Sequence, residues 1–255
     1  MKHLKAICWL LALAMVLGCS CAWGEEFRYE GDGFDTPEAA VSCYMEGLKN
    51  LDFEQMLSAY AWETQAEHYS VEANMSRMQA YSPAEYPRMP AVNDFLKTAN
   101  LEALRYSEVR MIYNALEMYI MGENYTNGQT VALKEEGALE EFLKNFDNDR
   151  LEKLAGMSEV RFLSVDEVTG GRMEYERNQE YFKERTAQYG ADETVNVVAT
   201  ADIDGGTVVC MPTVARYGEK WYMVSVSSMT ALMLGTPMNN LALLLVEDMA
   251  EFGVH

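Results

Sequence analysis

The residues whose types and spacing could do chemistry are few. Glu63-Thr64-Gln65-Ala66-Glu67-His68 sets a carboxylate about one helical turn from an imidazole, the pairing by which an acid orients a general base. The same residues also read as a surface histidine beside helix acids. Met75-x-x-Met78 and Met118-x-x-Met121 have the softness for copper, but methionine at that spacing is far more often core filling, which is the role expected. Asp202 and Asp204 before Gly205-Gly206, and Asp147-Asn148-Asp149 with Glu152, are acidic enough to suggest calcium. Both lack the length and the later Glu of an EF-hand loop, so turn and cap roles are expected. No G-x-S-x-G, H-E-x-x-H, C-x-x-C or P-loop string occurs, which removes the common hydrolase and nucleotide-binding motifs. No metal or cofactor is therefore expected. Four side chains remain as candidates for lining a pocket: Tyr44, Tyr60, His68 and Trp221. For the aromatics among them, Tyr44, Tyr60 and Trp221, core filling is the preferred reading.

The N-terminus carries an address. Lys2 and Lys5, the apolar run Ala6 to Leu17 and the small residues of Gly18-Cys19-Ser20-Cys21-Ala22-Trp23-Gly24 have the three-part layout of an export signal. The run falls short of the roughly 20 apolar residues that span a bilayer. Two endings overlap. Val16-Leu17-Gly18-Cys19 is similar to a bacterial lipobox, which would lipidate Cys19, whereas Ala22-Trp23-Gly24 suits a peptidase that releases a chain beginning at Glu25. The expected location is extracytoplasmic, either secreted or lipid-anchored to the bacterial membrane.

The formal charge is −20, and loss of Lys2 and Lys5 with residues 1–24 takes it to −22. Such an excess repels phosphate backbones, so nucleic acid is not an expected partner. Charged partners, where present, would be cations, basic peptides or basic wall polymers; dispersed acids also simply keep an exported protein soluble. Cutting after Gly24 leaves two of the five cysteines, Cys43 and Cys210. Outside the cell they could pair, or persist as two buried thiols.

The elements that would position these groups follow from periodicity. After an export signal (1–24) and a polar leader (25–34), Thr36 caps a helix with Pro37 in its first turn and Val41, Tyr44, Met45 and Leu48 on one face. Asp52 with Gln55 makes a capping-box pattern for a second helix bearing Met56, Leu57 and Tyr60. Pro83, Pro87 and Pro90 interrupt the chain. A helical pattern then runs from Val92 to Met121 through Phe95, Leu96, Leu101, Leu104, Ile112, Leu116 and Tyr119, with a strand suggested near its end. Gln129 to Leu133 is a candidate strand, and Gly137 to Leu154 reads as one helix. From Gly156 the period changes to that of a sheet: Val160 to Val165, then Thr194 to Ile203 and Thr207 to Ala215 across the Asp204-Gly205-Gly206 hairpin signal, then Trp221 to Val226. A polar helix is expected between Glu174 and Tyr189, and the apolar tail Leu241 to Val246 should be buried.

The opening Thr36-Pro37-Glu38-Ala39-Ala40 with Tyr44, Leu48 and Asp52, and the closing Gly218-Glu219-Lys220-Trp221-Tyr222, resemble the nuclear transport factor 2-like superfamily, the cystatin-like or SnoaL-like α+β cone. The resemblance covers about a quarter of the chain. It implies N-terminal helices packed on a curved C-terminal antiparallel sheet, here in a single α+β domain (35–255) with a largely helical insertion at about 62–156. It also implies an apolar pocket holding a ligand, catalytic acids or nothing. Two functions stay open. One is a non-catalytic module that binds a small apolar molecule, a wall fragment or an envelope protein, with a homodimer among its forms. The other is a cone-type isomerase, dehydratase or hydrolase using Asp or Glu with Tyr.

Overall fold

The structure is a computed structural model and describes residues 30–80, 89–121, 132–146, 149–163, 176–226 and 244–245. The export-signal reading, Cys19 and most of the candidate strand at 129–133 lie outside these residues. So does the segment that contains Pro83 and Pro87.

Helix α1 (Pro37–Lys49) begins where the sequence placed it. The Thr36 hydroxyl accepts from Ala39 N at 3.2 Å, and Ala40, Val41, Tyr44, Met45 and Leu48 are buried along one face. Asp52 caps α2 (Phe53–Ser58) by accepting from Gln55 N at 3.0 Å. The Gln55 side chain bonds Asn50 instead of closing the box. Helices α3 (Trp62–His68) and α4 (Val71–Met78) follow, and Ser70 caps α4 through Ala73 N.

Helix α5 runs unbroken from Asp94 to Met121, with no strand at its end. Its buried residues, among those described, fall at Asn100, Leu104, Glu108, Ile112 and Ala115, while Phe95 is 79% exposed. The helix expected over Gly137 to Leu154 is three pieces: α6 (Ala138–Leu143), a 3₁₀ turn at Lys144–Phe146, and α7 (Asp149–Leu154). Leu139, Leu143 and Phe146 are exposed, and among the described residues of this stretch only Leu154 is fully buried. The apolar spacing there does not describe a core face.

The sheet follows in β1 (Arg161–Leu163), helix α8 (Glu176–Tyr189), β2 (Glu193–Asn196), β3 (Val198–Ile203), β4 (Gly206–Cys210), β5 (Thr213–Tyr217), β6 (Lys220–Ser225) and the two residues of β7 (Leu244–Leu245). The strands pair antiparallel in two orders, β1-β3-β4-β7 and β2-β5-β6. Two strands read as continuous in the sequence are each divided, at Val197 and at Met211-Pro212. Pro212 has no N–H to give the ladder, yet its carbonyl accepts from Val197 N at 3.1 Å. The two breaks are therefore opposite one another, and the ribbon turns from one sheet into the other at that line. Asp204 (φ 49°) and Gly205 (φ 82°) close the β3–β4 hairpin in a two-residue turn with positive φ at both positions, as the right-handed twist of the strands requires. The apolar tail contributes β7, which pairs Leu244 with Val209 and Leu245 with Val208.

Helix α1 lies on β5 and β6. The outer edge of β6 is not left open: Phe34 exchanges both backbone bonds with Trp221, and Ala59 and Ala61 bond Met223. These contacts protect an edge that could otherwise recruit another strand. They also make part of the expected leader, from Glu30 onward, an integral piece of the fold. This is α+β architecture with helices first and a curved antiparallel sheet last. Trp62, Gln65, Leu104, Ile112 and Leu154, all from the expected insertion, belong to the buried interior.

Candidate binding cleft and the filled interior

The concave interior forms where α1, the Ala59–Trp62 segment, α5 and the sheet meet. Tyr44 and Tyr60 come together there with ring centroids 6.2 Å apart, edge to face, and Tyr60 stacks on Trp62 at 4.5 Å and 12°. The Trp62 indole N–H donates to Leu57 O at 2.8 Å. Both tyrosine rings are at most 1% exposed, and neither hydroxyl has a hydrogen-bond partner among the described residues. Burial drives both phenols well above their ordinary range. For Tyr44 the neighbouring Cys210 and Glu108 add to the effect; for Tyr60, Tyr44, Glu108 and Cys210 do. The two hydroxyls thus stay neutral.

Glu108 is the group that reading the sequence missed. It is 6% exposed and accepts from Val226 N at 3.2 Å, at the end of β6. A signal for it was present. Leu104, Glu108 and Ile112 are spaced four apart, so an acid occupies a position that the helix period assigns to the core.

Trp221 is partly buried against the same core, with the Arg216 guanidinium 5.8 Å from its ring centroid. His68 does not join these three. It is exposed at the end of α3, its Nδ1 lies 2.8 Å from Thr64 O, and its ring lies 5.4 Å from Tyr217. The atom that fixes the imidazole is a backbone carbonyl, not the Glu63 carboxylate. Tyr217 itself packs against a second cluster on the other face of β6, with Ala61, Tyr189, Ala215, Tyr222 and Val224.

The two thiols are free. Cys43 Sγ lies 3.7 Å from both Gln55 O and Ser58 Oγ, and Cys210 is buried in the core, its thiol pushed up to about 12 by burial. Asp202 accepts from Thr207, and Asp204 pairs with Lys153, so these acids serve the hairpin. Of the methionines with i, i+3 spacing, Met75 and Met78 are 43% and 38% exposed rather than core.

Met75 lines a concavity among the described residues. It is a cleft of about 450 Å³ bounded by α3, α4, Met89 to Ala91 and the start of α5. Ala66, Val71, Met75, Met89 and Pro90 supply apolar surface, and Glu67 and Glu72 supply charge. One wall is fixed by Asn100, which is 5% exposed. Its Oδ1 accepts from Met89 N at 3.0 Å and its Nδ2 donates to Met89 O at 2.7 Å. Asn100 therefore satisfies both backbone groups of one strap residue, which holds Met89 and Pro90 in place before any ligand arrives. The floor is held from behind: Gln188 donates to the Tyr69 hydroxyl at 2.8 Å and accepts from Arg77 Nε at 3.1 Å, joining α4 to α8.

No protein-family model matches the chain, and no curated protein matches its sequence. Among solved structures it is similar to a cystatin-like protein from Ruminococcus gnavus, at 14% identity and a TM-score of 0.47, over 88% of this chain and 45% of that one. The chain thus spans less than half the length of that protein. Among the described residues no helix is long and apolar enough to cross a membrane.

Proposed function

We propose that this chain is an exported, non-catalytic binding module on a nuclear transport factor 2-like cone, placed in the cell envelope by residues 1–24, and that its ligand site is the cleft between α3, α4 and the Met89–Ala91 strap. The observation that carries this reading is the contrast in filling. The cone interior, where that superfamily keeps its pocket, is occupied by Tyr44, Tyr60 and Trp62 of the protein itself. An accessible apolar cleft lies outside it, lined by Met75 and Met89. The cone assignment is supported by the contact between the two segments that carry the resemblance. Phe34 bridges Trp221, Lys220 pairs with Asp35 at 2.7 Å, and α1 lies on β5 and β6. Methionine suits a site of this kind, since its unbranched thioether adapts to apolar groups of different shape.

The test is a native mass spectrum of the mature protein from its producing cells, alongside a Met75→Asp/Met89→Asp variant. The expected result is a start at Cys19 with acyl mass or at Glu25, and a non-covalent adduct on the wild type that the variant loses. An unprocessed start overturns the export reading. An absent adduct, or one indifferent to the two substitutions, overturns the cleft.

A second reading has one observation in its favour. Glu108 is a buried carboxylate beside two tyrosine hydroxyls without partners, the acid and phenol set a cone-type isomerase or dehydratase would use. For that role a substrate must displace side chains now buried at 0–1%. Glu108→Gln would then abolish turnover while leaving ligand capture in the cleft intact.

A further inference from the structure

We infer that the cleft takes a basic peptide segment, with an apolar side chain against Met75 and Met89 and neighbouring Lys or Arg side chains facing Glu67 and Glu72; this rests on the cleft being the ligand site. The polar groups around the cleft are mostly committed elsewhere. Asn100 is used on Met89, the Ser70 hydroxyl caps α4, and the Tyr69 hydroxyl is held by Gln188. Glu67 and Glu72 are the exceptions. Both are exposed, and neither has an ion-pair or hydrogen-bond partner among the described residues.

Among the described residues no Lys or Arg lines the cleft. The nearest basic side chain described on α4, Arg77, bonds Gln188 and Asn74 and lies 5.7 Å from the Tyr181 ring centroid. Among the described residues, then, two carboxylates without a counter-charge stand beside apolar surface, in a protein of formal charge −20. That field favours cations and disfavours anions. The carboxylates stand on different helices, Glu67 near the end of α3 and Glu72 in the first turn of α4. Two carboxylates on two helices offer two cation positions, as a chain carrying more than one basic side chain would use. Charge gives the approach and the selectivity, and apolar contact with the methionines gives residence.

The experiment is fluorescence anisotropy with three labelled peptides of equal length, in which leucine alternates with lysine, serine or glutamate. The protein is compared as wild type, Glu67→Gln/Glu72→Gln, Met75→Asp/Met89→Asp, and a control pair Glu135→Gln/Glu136→Gln on an exposed segment outside the cleft. The expected result is tightest binding of the leucine-lysine peptide, weakened about tenfold by Glu67→Gln/Glu72→Gln and by raised salt, and unchanged by the control pair. Equal weakening by both glutamine pairs would mean diffuse attraction to an acidic surface and would overturn the inference. Equal binding of the lysine and serine peptides, both lost in the methionine variant, would overturn charge selection and leave the cleft as an apolar site. Loss of no peptide in the methionine variant would overturn the cleft itself.

Discussion

Two parts of this molecule use apolar residues in opposite ways. Around α1, β5 and β6, the helix period, the caps and the strand alternation agree, and Val41, Tyr44, Met45, Val214 and Met223 are completely buried. Along α5 to α7, residues of the same types face outward: Phe95 at 79%, Tyr106 at 68%, Tyr113 at 62%, Leu139 and Leu143 at 55%. Apolar composition is nearly blind to this difference. What separates the parts is whether a second layer exists to receive the side chain. The sheet supplies one for α1, whereas α5 has a neighbour on its Leu104–Ala115 face and none described on the other.

The largest effect should come from breaking the packed part at a place with no room. Gly190 follows α8 at φ 62°, and a Cβ there would stand 1.9 Å from the carbonyl oxygen of His68. Both the left-handed backbone and the close approach exclude a side chain. Gly190→Ala is expected to cost more than about 3 kcal/mol, lowering the melting temperature by about 10 °C in a domain of this size. Because Gly190 sets α8 against the end of α3, the variant should also loosen the Tyr69–Gln188 bond behind the cleft. A calorimetric scan showing a loss under 1 kcal/mol would mean that α8 is not held in this register.

A middle-sized effect tests how the leader joins the packed part. Glu30 is 6% exposed, and its carboxylate accepts from Glu63 N at 2.6 Å, Thr64 N at 2.9 Å and the Thr64 hydroxyl. It caps α3 in place of Ala61, which has no side chain able to do so. Burial raises the Glu30 pKa, and the three hydrogen bonds only partly offset that. The folded state therefore holds this proton more tightly than the unfolded one. The resulting stability is fully present below the unfolded value near 4.5, and it is lost as pH rises through the folded value. Glu30→Gln keeps an acceptor and cannot ionise, so its melting temperature relative to wild type should climb as pH rises from 4 through the carboxylate range. Glu30→Ala, which strips the α3 donors of their acceptor, should cost about 1–2 kcal/mol. A pH-independent difference between Glu30→Gln and wild type would mean that Glu30 is solvated and the leader undocked.

These sites also mark what the sequence could and could not say. Helix α1 was legible because a cap, a first-turn proline and a four-residue apolar stripe coincide, and the hairpin because Asp204-Gly205 permits positive φ at both positions. The sheet's bend was not read, although Pro212 lay inside the apparent strand as a residue that cannot donate to a ladder. Glu108 was passed over because pattern reading counts apolar residues, and an acid in the stripe looks like an interruption. The cleft was beyond reach, since Met75 and Met89 are separated by the proline-rich stretch and Met89 is held at the cleft by Asn100, a residue further along the chain. Nor does any local pattern announce Glu30, whose donors lie more than 30 residues away.

The smallest expected effect sharpens the other side of the comparison. On α5, Phe95, Tyr106 and Tyr113 follow at intervals of 11 and 7 residues, each close to a whole number of helical turns, so the three rings share one exposed face. If solvent alone meets that face, Phe95→Ser, Tyr106→Ser and Tyr113→Ser should each change stability by less than about 0.5 kcal/mol. Leu104→Ala, on the buried face of the same helix, should cost about 2–4 kcal/mol. Denaturant titration of the four variants measures this contrast. Repeating it across protein concentration adds a second reading, because a face covered in a homodimer would make the wild-type midpoint rise with concentration. The serine substitutions would then remove that dependence while Leu104→Ala would not. A concentration-independent midpoint with near-neutral serine variants leaves these rings outside the folding core. The cleft is then the apolar surface to test first for ligand binding.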